Sequence, residues 1–306
     1  MYDVRRLRLL RELAARGTVT AVADALAYTP SAVSQQLAAL ERDAGVALLA
    51  RAGRGVRLTE AGRRLAWHAD AIMARMEAAE ADLAGLSGRA TGRLRVGCFQ
   101  TAAQGLVLPA LIALRTRHPE VLPELVDVEA EEALPGLRLG DYDVVVAEEY
   151  DHAPRVRDPA VERTELGQDR MLVALAASHP LAGRDEIALA DLAAETWVCS
   201  REQTLFAAMV ARSCRAVGGF EPQVRHRTND LRLLFELVAR GQAVALVPSL
   251  GRDWMLPGVV LRPPAGPVLE RRIFAAVRRG TGAHPAVSAL HEAMAERARE
   301  IGVAAA

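Results

Sequence analysis

The chain has 306 residues, of which 51% are apolar, so it can bury a full hydrophobic core and more than one domain. Basic and acidic residues balance at 38 each, so any binding to nucleic acid must depend on local rather than total charge. No apolar run approaches the ~18 residues that span a bilayer, and no cleavable leader opens the sequence. The three cysteines are too widely spaced for a disulfide framework or a metal-binding pair. We expect a cytoplasmic protein with no membrane contact, metal or other cofactor.

Local positive charge is concentrated in the first 64 residues, which hold eleven arginines against six acidic residues, a surplus of five. Residues 3–16 predict an amphipathic helix that begins at the N-cap Asp3 and ends at Gly17. Such a segment, short, helical and arginine-rich, favours a DNA-binding unit.

Two further helices separated by a tight turn are predicted over residues 18–45. Thr29 is a suitable N-cap for the second helix, and Pro30 at its first position loses no needed hydrogen-bond donor. Gly45 ends that helix, because glycine adopts the left-handed conformation of a helix terminus. The two helices therefore have the form of a helix-turn-helix.

The exposed start of the second helix carries Ser31, Ser34 and Gln35, which are short or amide-bearing side chains that can reach base edges in a major groove. The alternative is a solvated helix face. Two short strands, at 48–51 and 56–58, follow as a wing with a glycine turn, and Arg51, Arg54 and Arg57 are placed to contact phosphates.

A long helix is predicted from Thr59 to about residue 87. Its apolar positions are spaced alternately four and three residues apart, as in a heptad seam. They are Leu65, Ala69, Ile72, Met76, Ala79, Leu83 and Leu86. This spacing favours a dimerising helix over one packed only on its own domain.

After a glycine-containing break at 87–92, predicted strands and helices alternate. Strands are predicted at 94–99, 125–128, 143–147, 171–176, 197–199, 244–248 and 271–277, with intervening helices that include 202–217. Such alternation predicts a largely parallel sheet covered on both faces, and about 215 residues suffice for two subdomains with a cleft between them.

The N-terminal segments TPSAVSQQLAALE (29–41), GVALL (45–49) and GRGVRLTEAG (53–62) closely resemble the winged helix-turn-helix of LysR-type transcriptional regulators. The resemblance runs without a gap from about residue 7 to 62 and implies DNA binding. The residues predicted to contact DNA are Thr18, Thr29, Pro30, Ser31, Ser34, Gln35, Arg51, Arg54 and Arg57. Pro30 stands where many members have Gln, and Gln35 where many have Arg, so base preferences are not transferable.

The C-terminal part is similar, more loosely, to the effector-binding domain of that family, which has a periplasmic-binding-protein type II-like fold. The similarity is carried by EALPGLRLGDYD (132–143), HPLAG (179–183) and GQAVALVP (241–248). The expected fold is therefore a winged helix-turn-helix domain (1–58), a dimerising linker helix (59–87) and a two-subdomain α/β effector domain (91–306). Subdomain one is expected at 91–167 and 268–306 and subdomain two at 168–267, with the chain crossing near 166–168 and 263–269.

Ligands of open α/β folds bind beyond the carboxyl ends of strands, which here fall at 99–101, 129–130, 148–149, 200–204, 228–230 and 247–249. The predicted effector-binding residues are Phe99, Gln100, Thr101, Glu148, Glu149, Arg201, Thr204, Asn229, Asp230 and Val247. Two consecutive carboxylates at one strand end favour an effector with an amine, such as an amino acid. Exposure of these carboxylates to water is the alternative.

Two other functions compete. A solute-binding protein would explain the second half but not the helix-turn-helix. An enzyme could use Cys98 as a nucleophile, but no histidine is placed by motif to activate it. Cys199 and Cys214 fall in the part where peroxide-sensing members of the family carry two cysteines, although small buried side chains are the favoured interpretation.

The expected function is thus a non-enzymatic transcriptional regulator. The resemblance implies a homodimer, and relatives commonly form tetramers, so four subunits are expected. The other expected partners are a double-stranded DNA operator of interrupted palindromic sequence, a small-molecule effector and, for an activator, RNA polymerase.

Overall fold

The computed structural model describes residues 1–53, 55–150 and 155–303. The chain divides into two compact units. The first holds Met1–Leu86 with Arg279–Thr281, and the second holds Ser87–Arg278 with the described residues from Gly282 onward. Among the described residues, no helix is both long and apolar enough to cross a membrane.

The first unit contains α1 (Val4–Arg16), α2 (Val19–Leu26), α3 (Pro30–Ala44), β1 (Leu49–Ala52), β2 (Gly55–Leu58) and α4 (Glu60–Ser87). The helix ends follow the sequence signals: the side chain of Asp3 caps α1, and Gly17 and Gly45 adopt left-handed conformations at the ends of α1 and α3. The first three helices share one apolar core, built from Leu7, Leu10, Leu13, Val22, Val33, Leu37 and Leu40.

The predicted heptad positions of α4 do not form one continuous exposed seam. Ala69 is fully buried in the core of the first unit, and Leu65 packs against that core. The large apolar side chains further along the seam are exposed, from 38% at Ile72 and 44% at Met76 to 69% at Leu83 and 85% at Leu86. The start of the seam thus belongs to the chain's own domain, and the remainder presents an apolar stripe.

The second unit begins with β3 (Gly92–Cys98), α5 (Gln100–Ala102), which continues through the π-helical segment Ala103–Val107 into α6 (Leu108–Arg117), β4 (Val121–Asp127), α7 (Ala130–Leu139), β5 (Val144–Glu149) and β6 (Val161–Ala176). It continues with β7 (Thr196–Cys199), α8 (Leu205–Ser213), β8 (Gln223–Arg227), α9 (Leu231–Ala239), β9 (Ala245–Pro248), β10 (Val259–Arg262), β11 (Glu270–Arg278) and α10 (Pro285–Glu300).

The main sheet has the strand order β10-β6-β11-β5-β3-β4, with β9 also paired to β6. The pairs β3–β4 and β3–β5 are parallel, whereas every pair that involves β6 or β11 is antiparallel. The prediction of a largely parallel sheet is therefore right for one side only. A separate parallel pair joins β7 to β8.

Strand β6 carries the chain between two apolar clusters. The first half of β6 pairs with β11, and its second half pairs with β9 and β10. Accordingly, Leu166 packs in one cluster with the residues of β3, α6 and α10, whereas Val173 packs in another with β7 and α8. A register shift opposite Ile273–Phe274 falls beside Gly167, whose φ of 147° suits glycine.

Several predicted element bounds are wrong. β6 begins at Val161 rather than at residue 171, because its first half is only partly buried and reads as polar. β4 begins at Val121 and not near 125, and β8 and β10 had no sequence signal that we recognised. Helix α8 begins after its cap Thr204 rather than near 202, and it ends at Ser213, where a π-helical turn follows.

Candidate functional site

Two threonine caps fix the starts of the two helices of the helix-turn-helix. Oγ1 of Thr18 accepts a hydrogen bond from the amide of Ala21 at 3.1 Å, and Oγ1 of Thr29 accepts one from the amide of Ala32 at 3.2 Å. Pro30 occupies the first position of α3. Both threonines are exposed, and their caps set where α2 and α3 begin.

The start of α3 presents an exposed polar face. Ser31, Ser34 and Gln35 are all exposed, and Ser31 Oγ lies 3.1 Å from Oγ1 of Thr29. Ser34 donates its hydroxyl to the carbonyl of Pro30 at 2.9 Å. Ser34 therefore uses its hydroxyl proton within the helix, whereas the Gln35 side chain is exposed. This geometry fits a recognition helix that inserts its N-terminal turn into a major groove.

The wing is a two-stranded ribbon in which Arg51 pairs with Val56 and Ala50 with Arg57. Residues directly opposite each other share one face of a ribbon, so Arg51 and Arg57 lie on opposite faces, and both are exposed. The third predicted phosphate contact, Arg54, lies outside the described residues. Glu41 of α3 accepts hydrogen bonds from the amides of Leu48 and Leu49 at 2.8 and 2.9 Å and so ties the wing to the recognition helix.

Gly62 sets the distance between the wing and α4. A Cβ at this position would lie 2.2 Å from the carbonyl oxygen of Leu48 and 2.9 Å from a methyl of Leu58. Only glycine allows the first turn of α4 to approach the strand this closely. The wing therefore packs on two helices, one through Glu41 and the other through Gly62.

A second site is a cavity of about 80 Å³ in the second unit, at the carboxyl ends of β3, β4, β5, β7, β8 and β9. Seven of the ten predicted effector-binding residues line it: Phe99, Gln100, Thr101, Glu148, Thr204, Asn229 and Val247. The rest of its wall consists of Glu129, Ser200, Phe206, Thr228, Leu231, Leu234, Leu246, Pro248 and Arg271.

One wall of the cavity is built around the buried pair Arg271–Asp169. Arg271 donates from Nε and Nη2 to Oδ2 of Asp169 at 3.0 and 2.7 Å, and from Nη2 to Oγ1 of Thr101 at 2.7 Å. Its guanidinium also stacks 4.6 Å from the ring centre of Phe99. Burial by itself would lower the pKa of Arg271, but the charges of Asp169, Tyr150 and Glu148 and the hydrogen bond to Asp169 together raise the pKa, so the cation persists.

Another part of the wall is acidic. Burial raises the pKa of Glu148, whose Oε1 is 3.5 Å from a guanidinium nitrogen of Arg155. Glu129 has a pKa raised to about 7, first by burial and then by the charges of Glu148 and Glu131. No described residue donates a hydrogen bond to Oε2 of Glu148. The cavity therefore contains carboxylate groups that lack full compensation.

The remaining three predicted effector residues do not line the cavity. Glu149, next along the strand from Glu148, forms ion pairs at 3.3 Å with both Arg163 and Arg272. Arg201 is exposed, and Asp230 caps α9 by accepting from the first-turn amides. Side chains alternate along β5, so Glu149 points away from Glu148. Arg201 lies in the loop after β7, and Asp230 is used as the cap of α9.

Sequence reasoning missed two charged residues of the cavity. Glu129 lies at one of the strand ends that were expected to face the cleft, but it was not among the predicted effector-binding residues. Arg271 is the second residue of the last strand, and nothing local distinguishes it, because its partner Asp169 is 102 residues away in sequence. The ion pair could be found only by knowing that β6 and β11 are neighbours.

The three cysteines are buried and free. Burial raises the pKa of Cys98 and of Cys214 to about 12 and also raises that of Cys199. The thiolate that nucleophilic or redox chemistry needs is therefore disfavoured at each position. In the described part of the chain, no group of three or more His, Cys, Asp or Glu side chains is arranged to hold a metal ion.

Two family models match this chain. The bacterial regulatory helix-turn-helix family of the LysR type matches residues 4–63, and the LysR substrate binding domain family matches residues 87–299. The chain belongs to the LysR family of transcriptional regulators. The regulator is 34% identical to the small neutral protease regulatory protein of Streptomyces coelicolor, over 98% of this chain and 94% of that protein.

Two solved structures share the fold of the regulator. Full-length OxyR from Pseudomonas aeruginosa, in a variant form, superposes with a TM-score of 0.68 at 21% identity, covering 99% of this chain and 97% of that one. Full-length CbnR in complex with its target DNA superposes with a TM-score of 0.57 at 24% identity, covering 97% and 100%. The family matches confirm the predicted family and regulatory function, and these two structures share the predicted fold class.

Proposed function

We propose that the regulator binds an interrupted, roughly palindromic operator as an oligomer, and that a small molecule with an ammonium group occupies the cavity of the effector domain. In this proposal the recognition surface is the exposed start of α3 with the wing arginines, and the domains divide at residues 58, 87 and 91. Effector binding then changes how paired recognition helices sit on the two half-sites. RNA polymerase is a further partner if the regulator is an activator.

Dimerisation through α4 is supported by its apolar stripe. Ile72, Met76, Leu83 and Leu86 are exposed in the single chain at heptad spacing. Exposed apolar side chains in such a continuous row mark an interaction surface. A second copy of α4 has the same spacing and is the partner that this stripe fits.

A second self-association surface supports a tetramer. Strand β4 is the edge of the main sheet, and its Leu122 and Leu125 are exposed. Leu108 and Ile112 of the adjacent α6 are also exposed. An unpaired edge strand beside apolar side chains is a ready surface for a second effector domain.

The amine is inferred from one observation: Glu148 is 3% exposed, lines the cavity, and has an oxygen to which no described residue donates a hydrogen bond. A buried carboxylate is costly unless it is paired or hydrogen-bonded. Arg155 is shared between Glu148 and Glu131, and Arg271 is held by Asp169, so neither guanidinium is dedicated to Glu148. A ligand ammonium has three donors and supplies what this carboxylate lacks.

Calorimetric titration of the full chain with lysine, arginine, putrescine and benzoate tests the ligand charge. At least one amine should bind, and Glu148→Gln should weaken its affinity roughly 30-fold or more, since truncating one partner of a buried charge pair costs about 2–5 kcal/mol. Glu149→Gln is the matched control, because its carboxylate is engaged outside the cavity by Arg163 and Arg272. Binding of benzoate alone, or amine affinity unchanged by Glu148→Gln, would refute the amine.

The DNA-binding surface is tested by the ratio of operator to random-DNA affinity. Gln35→Ala should reduce this ratio, since a good side-chain contact to a base is worth roughly 1–3 kcal/mol of discrimination. Gln36→Ala is the matched control, because Gln36 accepts a hydrogen bond from Arg6 instead of extending freely. An unchanged ratio for Gln35→Ala would show that the assigned face does not read bases.

A further inference from the structure

Side-chain hydrogen bonds join the two halves of the effector domain across the cleft, and their acceptors all lie on the same half. Oε1 of Gln100 accepts from the amide of Leu231 at 2.9 Å, and Oε1 of Glu131 accepts from the amide of Leu205 at 3.2 Å. Each amide belongs to the first residue of a helix, α9 or α8. In both bonds the acceptor lies on the β3–β4 side of the cleft and the donor on the other side.

A third bond of the same polarity lies in the cavity wall. Asn229 donates from Nδ2 to Oε1 of Glu129 at 2.5 Å, and its Oδ1 accepts from the amide of Arg201 at 3.0 Å. Asn229 is therefore oriented by its own half of the domain and presents its amide group to the other half. Glu131 thus contacts the start of α8, and Gln100 contacts the start of α9. Glu129 contacts Asn229, which directly precedes the cap of α9.

These contacts use donors that helices leave unsatisfied. The first amides of a helix have no partner within it. Thr204 serves the amide of Ala207 in α8, and Asp230 serves those of Arg232 and Leu233 in α9, so the first amide of each helix is left for the opposite half. The positive helix ends also favour the carboxylate of Glu131. Closure of the cleft thus completes the capping of both helices.

The cavity lies beside these bonds and has a volume of about 80 Å³. Glu129 has two roles here. It accepts a hydrogen bond from Asn229 across the cleft, and it lines the cavity beside Glu148.

We propose that Gln100, Glu129 and Glu131 act as one latch that holds the two sides of the cleft together, and that an incoming ammonium releases it by taking Glu129 from Asn229. The latch stands on the geometry alone, whereas the identity of the opening ligand rests on the proposed function. A single ammonium can donate to both Glu129 and Glu148, because it carries three N–H groups. The effector class is then a small amine whose binding separates the starts of α8 and α9 from the opposite wall.

Hydrogen exchange of the full chain, measured by mass spectrometry on peptides from the first turns of α8 and α9, tests the latch without any ligand. Gln100→Met removes the acceptor for Leu231 with similar side-chain volume. Glu131→Met removes the acceptor for Leu205 together with the ion pair to Arg155. If the bonds act together, each variant should accelerate exchange at both helix starts about five-fold, the loss expected for one hydrogen bond. Acceleration only at the variant's own helix would overturn the latch.

Asp230→Ala is the matched control, because it removes a cap of α9 that comes from the same half of the domain. It should accelerate exchange in α9 but not in α8. An equal effect of Asp230→Ala on α8 would show that any loosening of α9 spreads, and would also overturn the proposal. The second variant, Glu131→Met, keeps the test decisive if Gln100→Met does not fold.

Hydrogen exchange in the presence of putrescine or benzoate tests the effect of a ligand. Putrescine should accelerate exchange at both helix starts of the wild-type chain, and benzoate should not. If putrescine binds by calorimetry but slows exchange, the cleft closes on the amine, and the competition for Glu129 is refuted while the proposed amine effector stands. If no amine binds, the proposed effector fails, and the variants in ligand-free protein still decide whether the latch exists.

Discussion

Removal of Arg271 should destabilise the effector domain more than removal of any exposed arginine. Arg271 and Asp169 have side chains that are 4% and 0% exposed, and they are joined by two hydrogen bonds at 3.0 and 2.7 Å. Replacing Arg271 with Met leaves the carboxylate of Asp169 buried without its cation. Breaking a buried ion pair by removing one partner costs about 3–5 kcal/mol.

The lower end of this range is expected here. Oδ1 of Asp169 still accepts from the hydroxyl of Ser249 at 2.7 Å and from the amide of Leu250 at 3.1 Å, so half of the carboxylate remains satisfied. A loss of about 3 kcal/mol lowers the melting temperature by roughly 6–12 °C for a unit of this size. The main loss lies in the strands that connect the two halves of the domain, because Asp169 is on β6 and Arg271 on β11.

Thermal unfolding followed by fluorescence measures this change, since Trp197 is fully buried in the effector domain and reports its opening. The matched control is Arg215→Met, which breaks an ion pair to Glu221 whose side chains are 56% and 63% exposed. Exposed pairs contribute about 0–1 kcal/mol, so its melting temperature should stay within about 4 °C of the wild type. A melting temperature for Arg271→Met as close to wild type as that of the control would refute the assigned role of the buried pair.

Three further predictions concern DNA binding, assembly and pH. Arg57→Ala should weaken binding to operator and random DNA alike and reduce the salt slope by about 1, measured by anisotropy at several salt concentrations; an unchanged slope would remove the wing from the phosphate contacts. Ile72→Glu with Met76→Glu should abolish tight operator binding and dimerisation, measured by sedimentation, and a variant that stays dimeric and tight would show that the stripe does not form the interface. Because the pKa of Glu129 is raised to about 7 from 4.5, its contribution to stability falls as pH rises through that window. Relative to wild type, Glu129→Gln should thus gain stability between pH 5 and pH 8 by at most roughly 3 kcal/mol in urea unfolding, and an equal pH dependence of the two proteins would contradict the raised pKa.

The sequence by itself determined the elements that depend on neighbours along the chain. Thr29, Pro30 and Gly45 delimit the recognition helix through a cap, a fixed φ and a left-handed end, all of which act within a few residues. The heptad spacing of α4 could also be recognised from the sequence, because it depends only on residues three or four positions apart. The carboxyl ends of the strands could also be placed from apolar runs, and seven of ten residues chosen there line one cavity.

Only the tertiary structure decided which of these residues meet. Leu65 and Ala69 fit the heptad spacing but pack in their own domain's core, and no spacing rule distinguishes a partner helix from a neighbouring one. Arg271 meets Asp169 from 102 residues away, and Gln100 meets the amide of Leu231 from 131 residues away. These contacts follow from strand order and from closure of the cleft, which arise from packing across the whole domain rather than from the order of residues along the chain.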